Sequence, residues 1–578
     1  MAPSRPRRQR NAQRPDLAAL ALGPSAHLDH FTRNHLPPAE QWPEFLFEKP
    51  EYRYPERLNC GVELLDAQIE KGIGPSPAVG MMIGGRPVYA SYAQLLAQAN
   101  RIARLLTEEI GLVAGNRVLL RVPNNPMLAA LWLAVMKAGL VAVPTMPLLR
   151  AAELTQIIEK AQVGLAICDN RLVEELRYCQ DPEHAHYAPS LKEIIVCHSD
   201  AREALEARLL AHPASFENVR TGRDDVCLLA FTSGTTGEPK ATMHFHRDVM
   251  VMCDAFASHI LRPTPADIFC GTPPLAFTFG LGGLLCFPLH CGARTLLAER
   301  LTPETLLETI ERAQATITFT APTFYRQMAL LAKETGRRGQ LRSLRKSVSA
   351  GEALPDATRR LWKEASGIEM IDGIGGTEVM HIYISAREDE VRSGAIGRVV
   401  PGYHACIVDD QMRPLAVGAI GKLALKGPTG CRYLADIRQR QYVRDGWNLP
   451  GDSFRMDEAG YFYYQARTDD MIISAGYNIA GPEVESALLA HPAVLECGVV
   501  GVPDPDRGQL VKAFVVLRAG HQGNATLVGA LQEHVKAQIA PYKYPRLIEF
   551  CTQLPRTETG KLQRFRLRAQ SVASPQEG

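Results

Sequence analysis

Val226-Cys227-Leu228-Leu229-Ala230-Phe231-Thr232-Ser233-Gly234-Thr235-Thr236-Gly237-Glu238-Pro239-Lys240 is the stretch from which the rest of the chain is read. Its first six residues are apolar and end on a polar cluster, the pattern of a short buried strand. The next nine hold four hydroxyl side chains, two glycines and a lysine. Glycine lets backbone amides approach an anion, hydroxyls add donors, and Lys240 adds positive charge. Strand, hydroxyl- and glycine-rich loop and lysine together give a chemical reason to hold a polyphosphate. Glu238-Pro239 stands between Gly237 and Lys240, so the GK[ST] ending of a P-loop is absent. Taken alone, the same composition also suits an ordinary surface turn. Gly280-Leu281-Gly282-Gly283 does not complete GxGxxG and reads as backbone packing or a pocket wall. His244 and Asp248 fit HxxxD, a pattern of acyltransferases, but directly after this loop they read as structural or loop-bracing.

Outward from this loop, between about Val88 and Gln465, helical periodicities alternate with short apolar runs. Arg101–Glu109 is helical and Arg117–Val122 a strand. Met127–Ala138 is helical and Val141–Pro144 extended. Leu154–Ala161 is helical and Gly164–Cys168 extended, with later strands at Thr316–Thr320 and Lys346–Ser349. This rhythm predicts βαβ units: an α/β fold whose large N-terminal domain has mainly parallel sheets covered by helices. The pattern changes near Gln465–Asp470. Beyond it come strand Met471–Ser474, helix Pro482–Ala490, strands Val494–Val502 and Val511–Leu517, helix Leu527–Ile539 and strand Leu547–Cys551. They form a smaller α+β C-terminal lid domain with a core of its own. The expected division is a disordered basic arm over 1–30, the large domain over 31–466, a hinge over 467–470, the lid over 471–568 and a flexible tail over 569–578.

The chain's 578 residues are too many for one ordinary core. A formal net charge of +2 gives no global field for nucleic acid or anionic membrane, so a charged ligand must be caught locally. Thirteen cysteines show no CxxC pair, which argues against a zinc or thioredoxin-like motif and against a secreted disulfide framework. The most apolar stretch, Met127–Val143, is broken by Lys137 and Gly139 and bounded by prolines; it suits a core helix running into a buried strand rather than a membrane span. Met1–Pro15 carries five arginines and no acid, without the apolar core of a secretory signal. A cytoplasmic protein is expected, with neither nucleic acid nor membrane as partner, and with a homodimer as one assembly open to it.

Five further segments follow the loop in order: Ser349-Ala350-Gly351-Glu352, Asp372-Gly373-Ile374-Gly375-Gly376-Thr377-Glu378, Pro450-Gly451-Asp452, Arg467-Thr468-Asp469-Asp470 and Pro555-Arg556-Thr557-Glu558-Thr559-Gly560-Lys561. Together with Thr232–Lys240 they resemble, in the same order, the signatures of the acyl-adenylate-forming superfamily of acyl-CoA ligases, nonribosomal adenylation domains and beetle luciferases. The resemblance spans about 330 residues. It implies ATP, Mg²⁺ and coenzyme A. The cofactor-binding residues it implies are Thr232, Ser233, Gly234, Thr235, Thr236, Gly237, Lys240, Gly351, Glu352, Asp372, Ile374, Asp452, Arg467 and Gly476. In adenylation a carboxylate attacks the α-phosphate, and two negative groups repel, so catalysis must be mostly charge neutralisation and positioning. By resemblance, Thr377 bonds a phosphate oxygen, Glu378 helps hold Mg²⁺, Asp372 accepts from the adenine amino group and Asp452 from the ribose, with Arg467 beside it. Lys561 reaches across from the lid to the carboxylate and α-phosphate, and Asp469 is the hinge about which the lid turns to bring Ser474–Asn478 to the adenylate. Singly, Asp452 is a turn residue, Lys561 a solvated lysine and Arg467 with Asp469 a surface ion pair; order and context set them apart. Ile374 stands where many members have tyrosine, so packing on the base replaces ring stacking.

By the same resemblance the acid pocket comprises Ala276, Phe277, Gly280, Thr323, Gly375, His381 and Ile382. Gly373–Ile382 is similar to the segment of benzoate–CoA and 2-aminobenzoate–CoA ligases. Gly375 stands where acetyl-CoA synthetases have tryptophan and leaves room for an acid larger than acetate. Phe277 and Phe279 offer aromatic surface. His381 either bonds an ortho amino or hydroxyl group or is a satisfied core histidine. The implied activity is ligation of a small aromatic carboxylic acid, 2-aminobenzoate or benzoate, to coenzyme A. The alternatives are loading of a carrier-protein thiol, another medium-sized acid, a luciferase-like oxygenase or a silent ligand-binding regulator. The last is disfavoured by the joint presence of Lys561, Glu378 and Asp452.

Overall fold

The computed structural model describes residues 22–232, 238–467, 470–474, 477–504, 507–556 and 562–573. Met127–Val143 shows how the sequence builds it. Helix Pro126–Lys137 starts on Asn125, whose side chain accepts the Leu128 N–H at 3.1 Å, with proline at a position where its missing N–H is not needed. It ends before Gly139, which takes the left-handed backbone a turn requires, and strand Val141–Pro144 follows. From Leu128 to Lys137 every helix residue is buried, so its all-round apolarity belongs to the centre of an α/β core. Among the described residues no helix is long and apolar enough to cross a membrane.

Two large sheets carry the mainly parallel pattern. One runs, from edge to edge, 193–197, 165–169, 117–121, 141–144, 226–232 and 240–245, parallel except for the final antiparallel pair. The other has nine strands, with a parallel centre of 77–83, 294–296, 268–271, 317–320, 346–350 and 370–375 and antiparallel edges. Every expected strand and helix of this region is present, shifted by a few residues at its ends, except that the helix expected from Arg101 begins nine residues earlier, at Tyr92, capped by Ser91. A third sheet, drawn from 404–467, is wholly antiparallel and has no counterpart in the sequence reading, because its strands are short and lack regular alternation.

Past residue 470 a five-stranded sheet, 477–479, 472–474, 508–517, 494–504 and 547–550, packs against helices Gly481–Leu489, Ala525–Gln538 and Arg564–Ala573. Its apolar clusters, Ile472 to Val535 and Val500 to Leu567, contain no residue of the preceding sheets. Two expectations about the ends are corrected. Residues 22–30 are not a loose arm: Ala26 N–H donates to Asp225 at 2.9 Å, Leu28 N–H to the Ala114 carbonyl at 2.9 Å, and His27 is buried. Residues 569–573 are not tail, since the last helix continues to Ala573.

Candidate functional site

In open parallel sheets, ligands gather beyond the carboxyl ends of the strands. Here each motif of the large unit's two main sheets lies at such an end. Strand 226–232 leads into the phosphate-loop segment, 268–271 into Ala276, Phe277 and Gly280, and 317–320 into Thr323. Strand 346–350 leads into Gly351 and Glu352, and 370–375 into Thr377 and Glu378. Ser233, Gly234, Thr235, Thr236, Gly237, Asp469, Gly476 and Lys561 lie outside the described residues. What frames the first of these is clear. Thr232 and Lys240, on either side of it, are register partners across an antiparallel pair.

Lys240 Nζ donates to the Tyr433 hydroxyl at 3.3 Å, and that hydroxyl donates to Glu378 Oε1 at 2.6 Å. Tyr433 is buried, with its ring edge-on to Tyr442 at 5.8 Å. Burial and the neighbouring Glu378 push its phenol far above the usual range, so it stays a donor. The short turn Thr377–Val379 is held at both ends. His244 Nε2–H donates to the Thr377 carbonyl at 2.8 Å, and the Thr429 hydroxyl to the Val379 carbonyl at 2.7 Å. The turn closes on Met380 at φ +74°, a strained backbone for a side chain of that size, which these bonds help to hold. Behind His244, Asp248 accepts the Phe245 N–H at 2.9 Å and pairs with Arg432. Burial opposes its charge, yet Arg432 and His244 keep its carboxyl below the usual range. His244 and Asp248 are therefore braces of the Thr377–Glu378 turn.

Nearby groups differ in how fully they are engaged. Asp452 and Arg467 face each other across antiparallel strands, bonded at 3.2 Å, with Arg467 also donating to the Pro450 carbonyl at 2.8 Å. Burial works against the Arg467 charge, but Asp452 more than restores it. Glu352 accepts the Thr323 hydroxyl at 2.7 Å and, on its other oxygen, Arg556 at 3.2 Å, while Arg556 also meets Glu496 at 3.1 Å. Arg326, on helix Pro322–Glu334, donates to the carbonyls of Leu489, Val494 and Leu495 at 3.1–3.3 Å and so joins the two units. Asp372 is buried within strand 370–375, with Oδ1 lacking a partner among the described residues. Burial raises its carboxyl to about 6, against the pull of Arg359.

The proposed acid-pocket residues fall into two kinds. Gly280 and Gly375 are glycines by necessity of packing. A Cβ on Gly280 would lie 2.2 Å from the Pro274 carbonyl oxygen, and one on Gly375 would lie 2.6 Å from the His381 oxygen and 2.9 Å from Ile382 Cα. A side chain at 375 thus needs the backbone of the next strand to move, not only an empty space. Ile374 is half-buried against the core and Ile382 lies over Gly373. Ala276 and Phe277 are half-buried just before the short helix Thr278–Leu281. His381 is the other kind. Its ring is 4% exposed, 4.8 Å from Phe287, 5.4 Å from Phe256 and 5.9 Å from Phe279, and neither nitrogen makes a well-formed hydrogen bond among the described residues, although the Phe279 backbone lies close enough to favour the protonated ring. Burial drives its pKa down to about 3, so it is a neutral imidazole.

Tyr433, Tyr442, Thr429 and Arg432 escaped the sequence reading, since they lie 50 or more residues from the turn they support and carry no local pattern. One other group of soft donors is present: the buried Cys60, Cys227 and His246, whose donor atoms lie within 4.8 Å of one another. His246 Nδ1, 3.1 Å from Cys60 Sγ, already accepts the Cys60 N–H at 3.2 Å, so this trio packs the core.

The chain matches known proteins over most of its length. Residues 75–433 match the AMP-binding enzyme family, and residues 483–561 match the AMP-binding enzyme C-terminal domain. The benzoate–CoA ligase of Thauera aromatica is 34% identical over 530 residues, covering 90% of this chain and 97% of that protein. The crystal structure of the anthranilate CoA ligase AuaEII in complex with anthranoyl-AMP aligns with a TM-score of 0.84 at 32% identity, covering 91% of this chain and 100% of that one. A benzoate CoA ligase from Burkholderia xenovorans LB400 aligns at 0.79 and 30% identity, covering 88% of this chain and 99% of that one. With more than half its length inside the family's main model and relatives matched almost end to end, the chain belongs to the AMP-binding enzymes and is an AMP-forming acid–CoA ligase.

Proposed function

We propose that the acid is a benzoate-type ring with a hydrogen-bonding substituent, 2-aminobenzoate in the first place, and that the product is its CoA thioester. The observation that carries this is His381: a neutral imidazole, walled by three phenylalanines, with no well-formed hydrogen bond at either nitrogen and only the Phe279 backbone close to it. A buried polar group left unbonded costs about 1–3 kcal/mol. A neutral imidazole offers one donor and one acceptor, so an ortho amino group supplies what the acceptor nitrogen lacks, within walls suited to a ring. Benzoate is the second reading, favoured by the 34% identity to a benzoate–CoA ligase.

In this reading the carboxylate oxygen attacks the α-phosphorus, the bond to pyrophosphate breaks, and an acyl-adenylate forms. Then the CoA sulfur attacks the acyl carbon and AMP leaves. Lys240 and the loop from Thr232 hold phosphate, Asp372 takes the adenine amino group, and Asp452 takes the ribose. Thr377 donates to a phosphate oxygen, and Lys561 neutralises the approaching carboxylate. Thr377 and Glu378 offer the hard oxygen donors that suit Mg²⁺, which when bound supplies charge neutralisation at the phosphates. Between the half-reactions the lid, residues 471–568 with hinge Asp469, turns to exchange Lys561 for the Gly476 loop. The thirteen cysteines are all free thiols, as suits the reducing cytoplasm in which we place the enzyme.

The test is a panel of acids read by CoA consumption. The reading expects kcat/KM for 2-aminobenzoate to exceed that for benzoate, and both to exceed hexanoate by at least about 10-fold. Equal turnover of hexanoate would remove the aromatic assignment.

A further inference from the structure

We infer that Tyr433 is a positioning residue that joins the phosphate-loop lysine to the carboxylate of Glu378, assembling the cation-binding oxygen before nucleotide arrives. The inference rests on the reading of Glu378 as a Mg²⁺ ligand. The Tyr433 hydroxyl gives its proton to Glu378 Oε1 at 2.6 Å and receives one from Lys240 Nζ at 3.3 Å, so one group contacts both. Lys240 also lies 5.2 Å from the centre of the Tyr433 ring, an attraction that keeps ammonium and phenol together.

The hydroxyl is fixed from three sides. The Tyr433 N–H donates to Gln439 Oε1 at 2.9 Å, and Gln439 is anchored in turn on the carbonyls of Gln41 and Cys431 at 2.8 and 3.0 Å. The backbone at 433 bridges Thr242, on the strand that begins with Lys240. The ring rests edge-on against Tyr442. A phenol held this firmly leaves Glu378 one bonded oxygen and one, Oε2, turned toward Gly376, where a Cβ would be 3.5 Å away. An outer-shell donor of this kind orients a ligating carboxylate, and its removal typically weakens metal affinity about 10- to 100-fold. Glu378 and Lys240 repel and attract the same phosphates. Tyr433 holds them at a fixed spacing, so neither collapses onto the other in a direct ion pair.

The experiment measures Mn²⁺ affinity of the full-length protein with ATP present, by electron paramagnetic resonance, for the parent, Tyr433→Phe, Glu378→Gln and the double variant. Tyr433→Phe keeps the ring against Tyr442 and loses only the hydroxyl. The expected result is a loss of about 10-fold or more in Mn²⁺ affinity for each single variant, with the double no weaker than Glu378→Gln. Alongside it, the KM for the acid stays within about twofold and the melting temperature is kept. Parent-like affinity in Tyr433→Phe alone overturns the inference about Tyr433. Additive losses in the double variant overturn it as well, because Tyr433 would then act other than through Glu378. Parent-like affinity in Glu378→Gln removes the metal-ligand reading and the inference with it.

Discussion

The turn Thr377–Val379 and the histidine that follows it at 381 are near neighbours in sequence and opposite in chemistry. The turn is braced: His244 and Thr429 bond its carbonyls, Tyr433 bonds one oxygen of its carboxylate, and Arg432 and Asp248 stand behind. His381 is more deeply buried and makes no well-formed hydrogen bond, with only the Phe279 backbone near its ring. The difference teaches how one chain divides two tasks. In the function we propose, the groups that cleave ATP, a step common to every acid, are fixed in advance by the protein, while the choice of acid falls to His381, whose bonding the ligand completes.

The contrast breaks first if the braced turn can activate an acid without help from the lid. Lys561→Ala is expected to lower pyrophosphate release by about 100- to 1,000-fold, the range for losing one preorganised donor. Thioester formation from a supplied acyl-adenylate should survive. Equal loss of both steps would return Lys561 to a structural role. Next, His244→Leu strips a brace and leaves the partly buried Thr377 carbonyl without its donor, at about 1–3 kcal/mol at most. Melting temperature and adenylation should fall together, whereas loss of stability with full kcat would show that the turn holds its shape unaided. His381→Leu is the sharpening experiment. It should keep or raise the melting temperature, since an unbonded polar group is replaced by an apolar one, while narrowing the preference for 2-aminobenzoate over benzoate by about 10-fold. A clear drop in stability would make His381 a bonded core residue. The smallest effect concerns Asp372, whose carboxyl sits at about 6 against an ordinary 3.8. Between those values the folded state binds more protons than the unfolded one, so this group's contribution is largest at low pH and falls as pH rises toward 6. The melting temperature of Asp372→Asn minus that of the parent should therefore climb from about pH 4 to about pH 6 and level off above it. A flat difference would mean that Asp372 titrates as an ordinary carboxylate.

Much of this was legible in the residues. Local apolar periodicity is enough to place helix Pro126–Lys137 and strand Val141–Pro144, because burial in the centre of a layered core imposes its pattern on consecutive side chains. The antiparallel sheet over 404–467 was not, because its short strands have partners set by long-range pairing. The motif segments were legible as a set and in order, and those of the two main sheets follow strand ends. Their supports were not: the hydroxyl of Tyr433, the link from Glu352 to both Thr323 and Arg556, and the backbone approach that requires glycine at 375 arise from contacts between distant segments. His381 was visible as a candidate with two readings, and only its surroundings separate an unbonded imidazole from a satisfied one.

The central claim is that this chain couples ATP cleavage to activation of an aromatic carboxyl group for transfer to a thiol. A single-turnover reaction of purified enzyme with Mg²⁺, ATP, 2-aminobenzoate and CoA tests it most directly, with AMP, pyrophosphate and thioester quantified together. The account predicts equal amounts of all three, and pyrophosphate with enzyme-bound adenylate when CoA is withheld. Failure to form AMP with any aromatic acid, or release of ADP in its place, would contradict it.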